Sequence, residues 1–110
     1  MPRKMTSEVL ELIASRFRVL SEPARLKILN ELMAGERTVT ELVEATELNQ
    51  ANVSKHLQLL RASGFVQRRK SGLFSHYSIA DKTVHDLCQI MCGRLEDQLG
   101  ERAALLAEGA

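Results

Sequence analysis

Apolar residues recur three and four positions apart along most of the chain, and polar or glycine breaks cut that pattern into helical segments. The first, about 7–19, spaces Val9, Ile13, Phe17 and Leu20 along one helical face. Ser21 is the expected N-cap of the second, with Pro23 in its first turn. Leu26, Leu29 and Met33 form the expected stripe before Gly35 ends the helix. Thr38 followed by Glu41 has the form of a capping box, which predicts a short third helix over 39–45 with Val39, Leu42 and Val43 inward. Asn49 is the expected cap of a fourth helix over 50–62, closed by Gly64, with Val53, Leu57 and Leu60 as its buried stripe.

After Gly64 the period changes to two. The stretches 65–69 and 73–79 alternate as strands around Ser71-Gly72, the expected tip of a β-hairpin. A lone hairpin is not stable, so this one must pack on the helices. Asp81 then caps a long helix over 82–105, with Val84, Leu87, Cys88, Met91, Leu95 and Leu99 on one face. The expectation is one domain over 1–110, mainly α with a small β-hairpin.

The third and fourth helices, joined by the tight turn Thr46-Glu47-Leu48, have the form of a helix-turn-helix over about 38–63, with a wing over about 65–79. At 100° per residue, a face centred on Val53, Leu57 and Leu60 leaves Ala51, Lys55 and Gln58 opposite, flanked by Asn52 and Ser54. Gln and Asn pair with adenine edges, Ser reads phosphate or base, Lys neutralises phosphate, and small Ala51 permits close approach. The expected DNA contacts are therefore Gln50, Ala51, Asn52, Ser54, Lys55 and Gln58, with Arg68, Arg69 and Lys70 of the wing along the backbone or minor groove. His56 lies toward the buried side and reads as a hydrogen-bonded packing residue.

Net charge first argues the other way. The chain has 110 residues and a formal charge of only +1, from 15 Lys plus Arg against 14 Asp plus Glu. Residues 1–48 carry seven basic and eight acidic groups, and residues 81–110 carry three and six. Between them, residues 49–80 hold Lys55, Arg61, Arg68, Arg69 and Lys70 with no acid, a localised surface suited to phosphate backbones. A bland alternative is a solvated sheet edge guarded by Lys and Arg. Composition excludes disorder, and no apolar run approaches the length of a membrane span. Residues 1–7 lack the apolar stretch of a secretory signal, so a cytoplasmic location is expected. Two cysteines do not make a disulfide scaffold.

Four stretches together resemble the ArsR/SmtB family of bacterial winged helix-turn-helix repressors. They are Leu20-Ser21-Glu22-Pro23-Ala24-Arg25-Leu26-Lys27-Ile28-Leu29, Val39-Thr40-Glu41-Leu42, Asn49-Gln50-Ala51-Asn52-Val53-Ser54-Lys55-His56-Leu57, and Leu60 through Gly64 to Arg69. The resemblance implies a homodimer joined through the first and last helices (about 7–19 and 82–105). It also implies a double-stranded promoter operator with an inverted repeat, and release by a small effector. The apolar stripes of those two helices are broad enough for both a core and a partner.

The family's effector sites can be compared residue by residue. Where the arsenic type resembles Cys-Val-Cys, this chain has Thr38-Val39-Thr40. The zinc-type positions correspond to Asp81, Thr83, Arg94 and Asp97, and Arg94 does not ligate a cation. Asp81 and His85, one turn apart, make a poor two-ligand site, so no metal and no cofactor is expected. Cys88 and Cys92, at i and i+4, are the remaining effector candidates, for a thiol-reactive species or a soft metal; the alternative is that they are small packing residues. Two other classes stand beside the repressor: a winged-helix interaction module, and a thiol oxidoreductase using Cys88 and Cys92. The first would need an apolar surface in place of a basic one. The second has the wrong spacing and no nucleophile–base pair, so an enzyme is not expected.

Overall fold

A computed structural model describes residues 4–108. Arg3 of the basic count and the first two residues of the 1–7 stretch lie outside them, as do Gly109 and Ala110. Two compact units are described in turn, Met1–Ala80 and Asp81–Ala110.

The first unit begins with α1 (Ser7–Leu20), α2 (Pro23–Met33), the short strand β1 (Arg37–Thr38), α3 (Val39–Thr46) and α4 (Gln50–Ala62), and ends with strands β2 (Val66–Ser71) and β3 (Phe74–Ile79). Local hydrogen bonds fix most boundaries. Thr38 and Glu41 form the expected reciprocal box: Glu41 N donates to Thr38 Oγ1 at 3.2 Å, and Thr38 N to Glu41 Oε1 at 2.9 Å. Asn49 Oδ1 accepts from Asn52 N at 2.8 Å to start α4. At its end, Gly64 turns left-handed with φ 81°, Gly64 N bonds to Arg61 O and Phe65 N to Leu60 O. These are the paired bonds of a Schellman closure, and they drop buried Phe65 into the core.

One cap differs from expectation. Ser21 closes α1, its Oγ donating to Arg18 O at 2.7 Å, while Glu22 stands at the start of α2 without a side-chain cap. The missing cap is tolerable because Pro23, the first helical residue, has no amide proton to satisfy.

Ile28, Leu29 and Leu32 of α2, Leu42 of α3, and Val53, Leu57 and Leu60 of α4 build the core with Phe65 and Val66. The α4 stripe and Leu42 are as expected. On α2 the buried face is instead rotated toward Ile28 and Leu32, leaving Leu26 exposed, because this helix packs against α3, α4 and β3 at once. On α3, Val39 and Val43 are only half-buried, and Thr46 is buried in their place. Its hydroxyl donates to Leu42 O at 2.6 Å and accepts from Leu48 N at 3.4 Å, which makes a polar group acceptable in the core. Glu47 follows with φ 62°, and this single left-handed residue sets the angle between α3 and α4. No residue of α1 is buried; Val9 and Phe17 of its stripe stand exposed.

The hairpin is part of a three-stranded antiparallel sheet in the order β1-β3-β2. Arg37 pairs with Tyr77 and Thr38 with His76, so β1 covers the free edge of β3. Between β2 and β3 the register runs from Val66 opposite Ile79 to Ser71 opposite Phe74. The loop is therefore Gly72-Leu73, one residue beyond the expected tip, with Gly72 taking the positive φ of 62° that a two-residue hairpin loop requires.

The second unit contains α5 (Thr83–Glu108), whose first turn is bound by Asp81 Oδ1 accepting from Thr83 N at 2.9 Å. Leu87, Met91, Leu95 and Leu99 of its apolar face are exposed. Among the described residues, no helix is long and apolar enough to cross a membrane.

Candidate nucleic-acid interface

With Val53, Leu57 and Leu60 fully buried, helical geometry turns the opposite side of α4 outward, and Gln50, Ala51, Asn52, Ser54, Lys55 and Gln58 are all exposed. The left-handed Glu47 and the Asn49 cap fix where this helix begins, so its first turn is presented on a rigid support.

Pleating divides the wing's cations between two faces. Arg68 lies opposite Tyr77 and Lys70 opposite Ser75 on one face, and Arg69 lies opposite His76 on the other. Arg68 and Tyr77 join Ser54, Gln58, Arg61 and Ala62 of α4 around an open groove of about 490 Å³. Among the described residues, no carboxylate lines it. Two guanidinium groups and the polar Ser54, Gln58 and Tyr77 make it a site for an anionic backbone. Arg61 and Tyr77 were missed as site residues by sequence reasoning. The signal for Arg61 was present, one turn beyond Gln58; Tyr77 comes opposite Arg68 only because the loop is Gly72-Leu73, one residue beyond the expected tip.

Arg69 does not face the groove. Its Nη2 donates to Glu36 Oε1 at 2.6 Å and its Nε to Oε2 at 3.3 Å, while His76 Nδ1 lies 3.6 Å from the same carboxylate. Hydrogen bonds from Arg69, opposed by partial desolvation and aided by the charges of Arg69 and His76, hold the Glu36 carboxyl below its ordinary 4.5. This fork ties the segment before β1 to the middle of β2 and neutralises one of the wing's cations. Glu36→Gln removes the charge that masks Arg69. Because Arg69 points away from the groove, the variant is expected to loosen the wing and lower the thermal midpoint, while the slope of log K against log salt stays that of the wild type, measured by fluorescence anisotropy across salt concentrations.

His56 is half-buried, and its Nδ1 has no hydrogen-bond partner, so the expected hydrogen-bonded packing residue is a packing residue only at that nitrogen. Burial, followed by the positive charge of Arg25, depresses its pKa below 6.5, with Glu22 opposing and Lys55 adding. A lowered folded value means that the unfolded chain binds the proton more readily. The contribution of neutral His56 is thus present above the unfolded pKa of 6.5 and lost as pH falls through the folded value. Thermal midpoints of the wild type are expected to drop more steeply on acidification below about pH 6.5 than those of His56→Gln.

Cys88 is half-buried and Cys92 exposed on α5, both as free thiols. Cys92 Sγ lies 3.6 Å from Glu96 Oε1, and that hydrogen bond and carboxylate charge push the Cys92 thiol up, away from the reactive thiolate. Arg94, the nearby cation, is paired with Asp97 at 3.8 Å. Among the described residues, no three His, Cys, Asp or Glu side chains cluster to hold a metal ion.

A short helix, a tight turn, a second helix with its polar face free, and a hairpin laid beside that helix's C-terminal half define a winged helix-turn-helix protein. The model of the bacterial regulatory protein, arsR family, matches residues 22–68. The chain is 36% identical over 106 residues to the uncharacterized HTH-type transcriptional regulator Rv0081 of Mycobacterium tuberculosis, covering 94% of this chain and 93% of that one. The crystal structure of Rv0081 superposes with a TM-score of 0.81 at 32% identity, over 89% of this chain and 99% of that one. A homodimeric winged helix-turn-helix DNA-binding domain from Mycobacterium bovis, Mb0332, gives a TM-score of 0.76 at 30% identity, over 90% and 94%. A probable mercury resistance operon repressor of Streptomyces lividans is 42% identical over 74 residues, 67% of this chain and 59% of the relative. Of that repressor the chain thus spans about three fifths of the length. The chain belongs to the ArsR family.

Proposed function

We propose that this chain is a homodimeric transcriptional repressor that binds an inverted repeat in double-stranded promoter DNA in the cytoplasm and is released by a small effector. The observation that carries this reading is the acid-free groove between α4 and the wing, where Arg61 and Arg68 converge beside the exposed polar face of the second helix. α4 enters the major groove, with Gln50, Ala51, Asn52, Ser54, Lys55 and Gln58 toward base edges and the nearest phosphates. Arg61, Arg68 and Lys70 hold the backbone alongside. Arg69 belongs to the support of the wing, bound as it is to Glu36.

The exposed apolar residues of α1 and α5, Phe17 and Leu99 among them, support a partner of the same chain, in keeping with the homodimeric Mb0332 domain. An effector acting at Cys88 and Cys92 has less behind it. The two thiols share a helix face, but Glu96 works against thiolate formation at Cys92. The test is selection of genomic fragments with the purified chain, followed by titration of the recovered duplex over a range of salt. A steep salt dependence on a site with two half-sites about 34 Å apart supports the reading, and a flat salt response refutes it.

A further inference from the structure

The wing ends in two large apolar side chains that nothing in the fold uses. Leu73 is 100% exposed and the adjoining Phe74 63% exposed, whereas Phe65 and Val66 at the other end of the hairpin are buried and Tyr77 and Ile79 of β3 are half-buried. We propose that Leu73 is an apolar wedge: the wing tip enters the minor groove next to the major-groove site of α4, and Leu73 inserts against a base step and partly unstacks it. This rests on the DNA-binding reading above and goes beyond it by assigning the tip a base-step contact and a deformation of the duplex.

Three observations point to DNA as the occupant of this apolar tip. The first is charge. Lys70 and Arg68 stand on the strand leading to the tip, and residues 49–80 contain no acid, so the tip is carried toward a polyanion and not toward a neutral apolar partner. The second is shape. Antiparallel strands lie about 4.8 Å apart and carry side chains on both faces, so the body of a hairpin does not fit a minor groove about 6 Å wide. A two-residue loop of glycine and one leucine does, because Gly72 contributes no side chain. The third is support. A wedge works only if it cannot fold back, and this wing is held along its middle by the β1–β3 pairing and by the Arg69–Glu36 fork. From buried Val66 the strand extends about 17 Å to Ser71, enough for the tip to reach a groove beyond the one α4 occupies. Apolar side chains inserted from the minor groove between base steps unstack them and kink the duplex. Flexible pyrimidine–purine steps yield most easily.

The experiment uses the full chain and the duplex that it selects, with 2-aminopurine substituted in turn at adenines of pyrimidine–purine steps on either side of each half-site. The wild type is expected to raise fluorescence at one step per half-site. Leu73→Ser is expected to abolish that rise and weaken binding on the order of tenfold, the scale of withdrawing one leucine side chain from water. Because no charge is removed, the salt slope stays unchanged, which separates this loss from that of a phosphate contact. Leu73→Met, apolar and flexible, is expected to retain both affinity and fluorescence, and it guards against a folding effect of the serine. If the wild type binds with a steep salt slope while Leu73→Ser binds equally well and no step brightens, the wedge is refuted and the DNA-binding reading stands. If Leu73→Ser leaves DNA binding intact but lowers the sedimenting mass, the tip is a contact between copies and the wedge is refuted. A wild-type chain that binds no duplex removes both.

Discussion

Leu57→Ala is expected to cost about 2–5 kcal/mol of folding stability, the range for deleting a buried leucine side chain where the surroundings relax only in part. Leu57 is 0% exposed, in the middle of α4, flanked along the same stripe by Val53 and Leu60, which are equally buried. α4 packs against α2, α3 and β2, so a cavity on its buried face is not closed by moving one element alone. For a unit of this size each kcal/mol moves the thermal midpoint by about 4–8 °C, so a fall of roughly 8–40 °C is the expected result in a calorimetric or circular-dichroism melt. Against a total stability of about 5–15 kcal/mol the loss is a large fraction of the whole. Lost DNA binding in this variant follows from unfolding, and cooling restores it. A midpoint within a few degrees of wild type would mean that α4 is not held by this stripe.

The parts of this arrangement that were legible in the sequence are those decided over one or two helical turns. Thr38 with Glu41, and Asn49 with the Asn52 amide, are bonds between residues three apart, so they can be read without knowing the fold. The polar face of α4 was legible for the same reason, since the burial of Val53, Leu57 and Leu60 determines by rotation alone what faces outward. Features decided at long range were not. α2 has Leu26, Ile28, Leu29, Leu32 and Met33 available, a band wider than one stripe. Which of them are buried depends on the three elements packed around the helix and not on its period. β1 has two residues, too few to show an alternation, and it exists because β3 offers an open edge. Arg69 reads as a free wing cation until Glu36, 33 positions earlier in the chain, is brought against it. The same limit hid Tyr77 beside Arg68, a pairing that depends on where the hairpin turns.

Replacing Lys55, Arg61 and Arg68 together with alanine is expected to abolish specific binding at physiological salt while leaving the fold intact. Each is exposed, and Arg61 and Arg68 line a groove without a carboxylate, so truncation removes no buried contact and strands no buried charge. The magnitude follows from counterion release. One phosphate contact contributes about 0.9 to the slope of log K against log salt, which near 0.15 M salt corresponds to about fivefold in affinity. The two phosphate contacts of Arg61 and Arg68 give a loss of about thirtyfold per protomer, with the slope lowered by about two, Lys55 adds the loss of a base-edge contact, and a dimer engaging two half-sites loses the square of the whole. The pattern of loss also separates the roles of the three side chains. A residue that only neutralises phosphate weakens operator and random duplex alike, whereas one reading base edges weakens the operator more and narrows the ratio between them. Lys55, in the middle of the outward face of α4, is placed for the second behaviour. Arg61 and Arg68, at the mouth of the groove beside the wing, are placed for the first. Anisotropy titrations of each single variant against both duplexes, with the melting midpoint held as a control, measure the division directly. A triple variant that keeps the wild-type salt slope would move the interface away from this groove altogether.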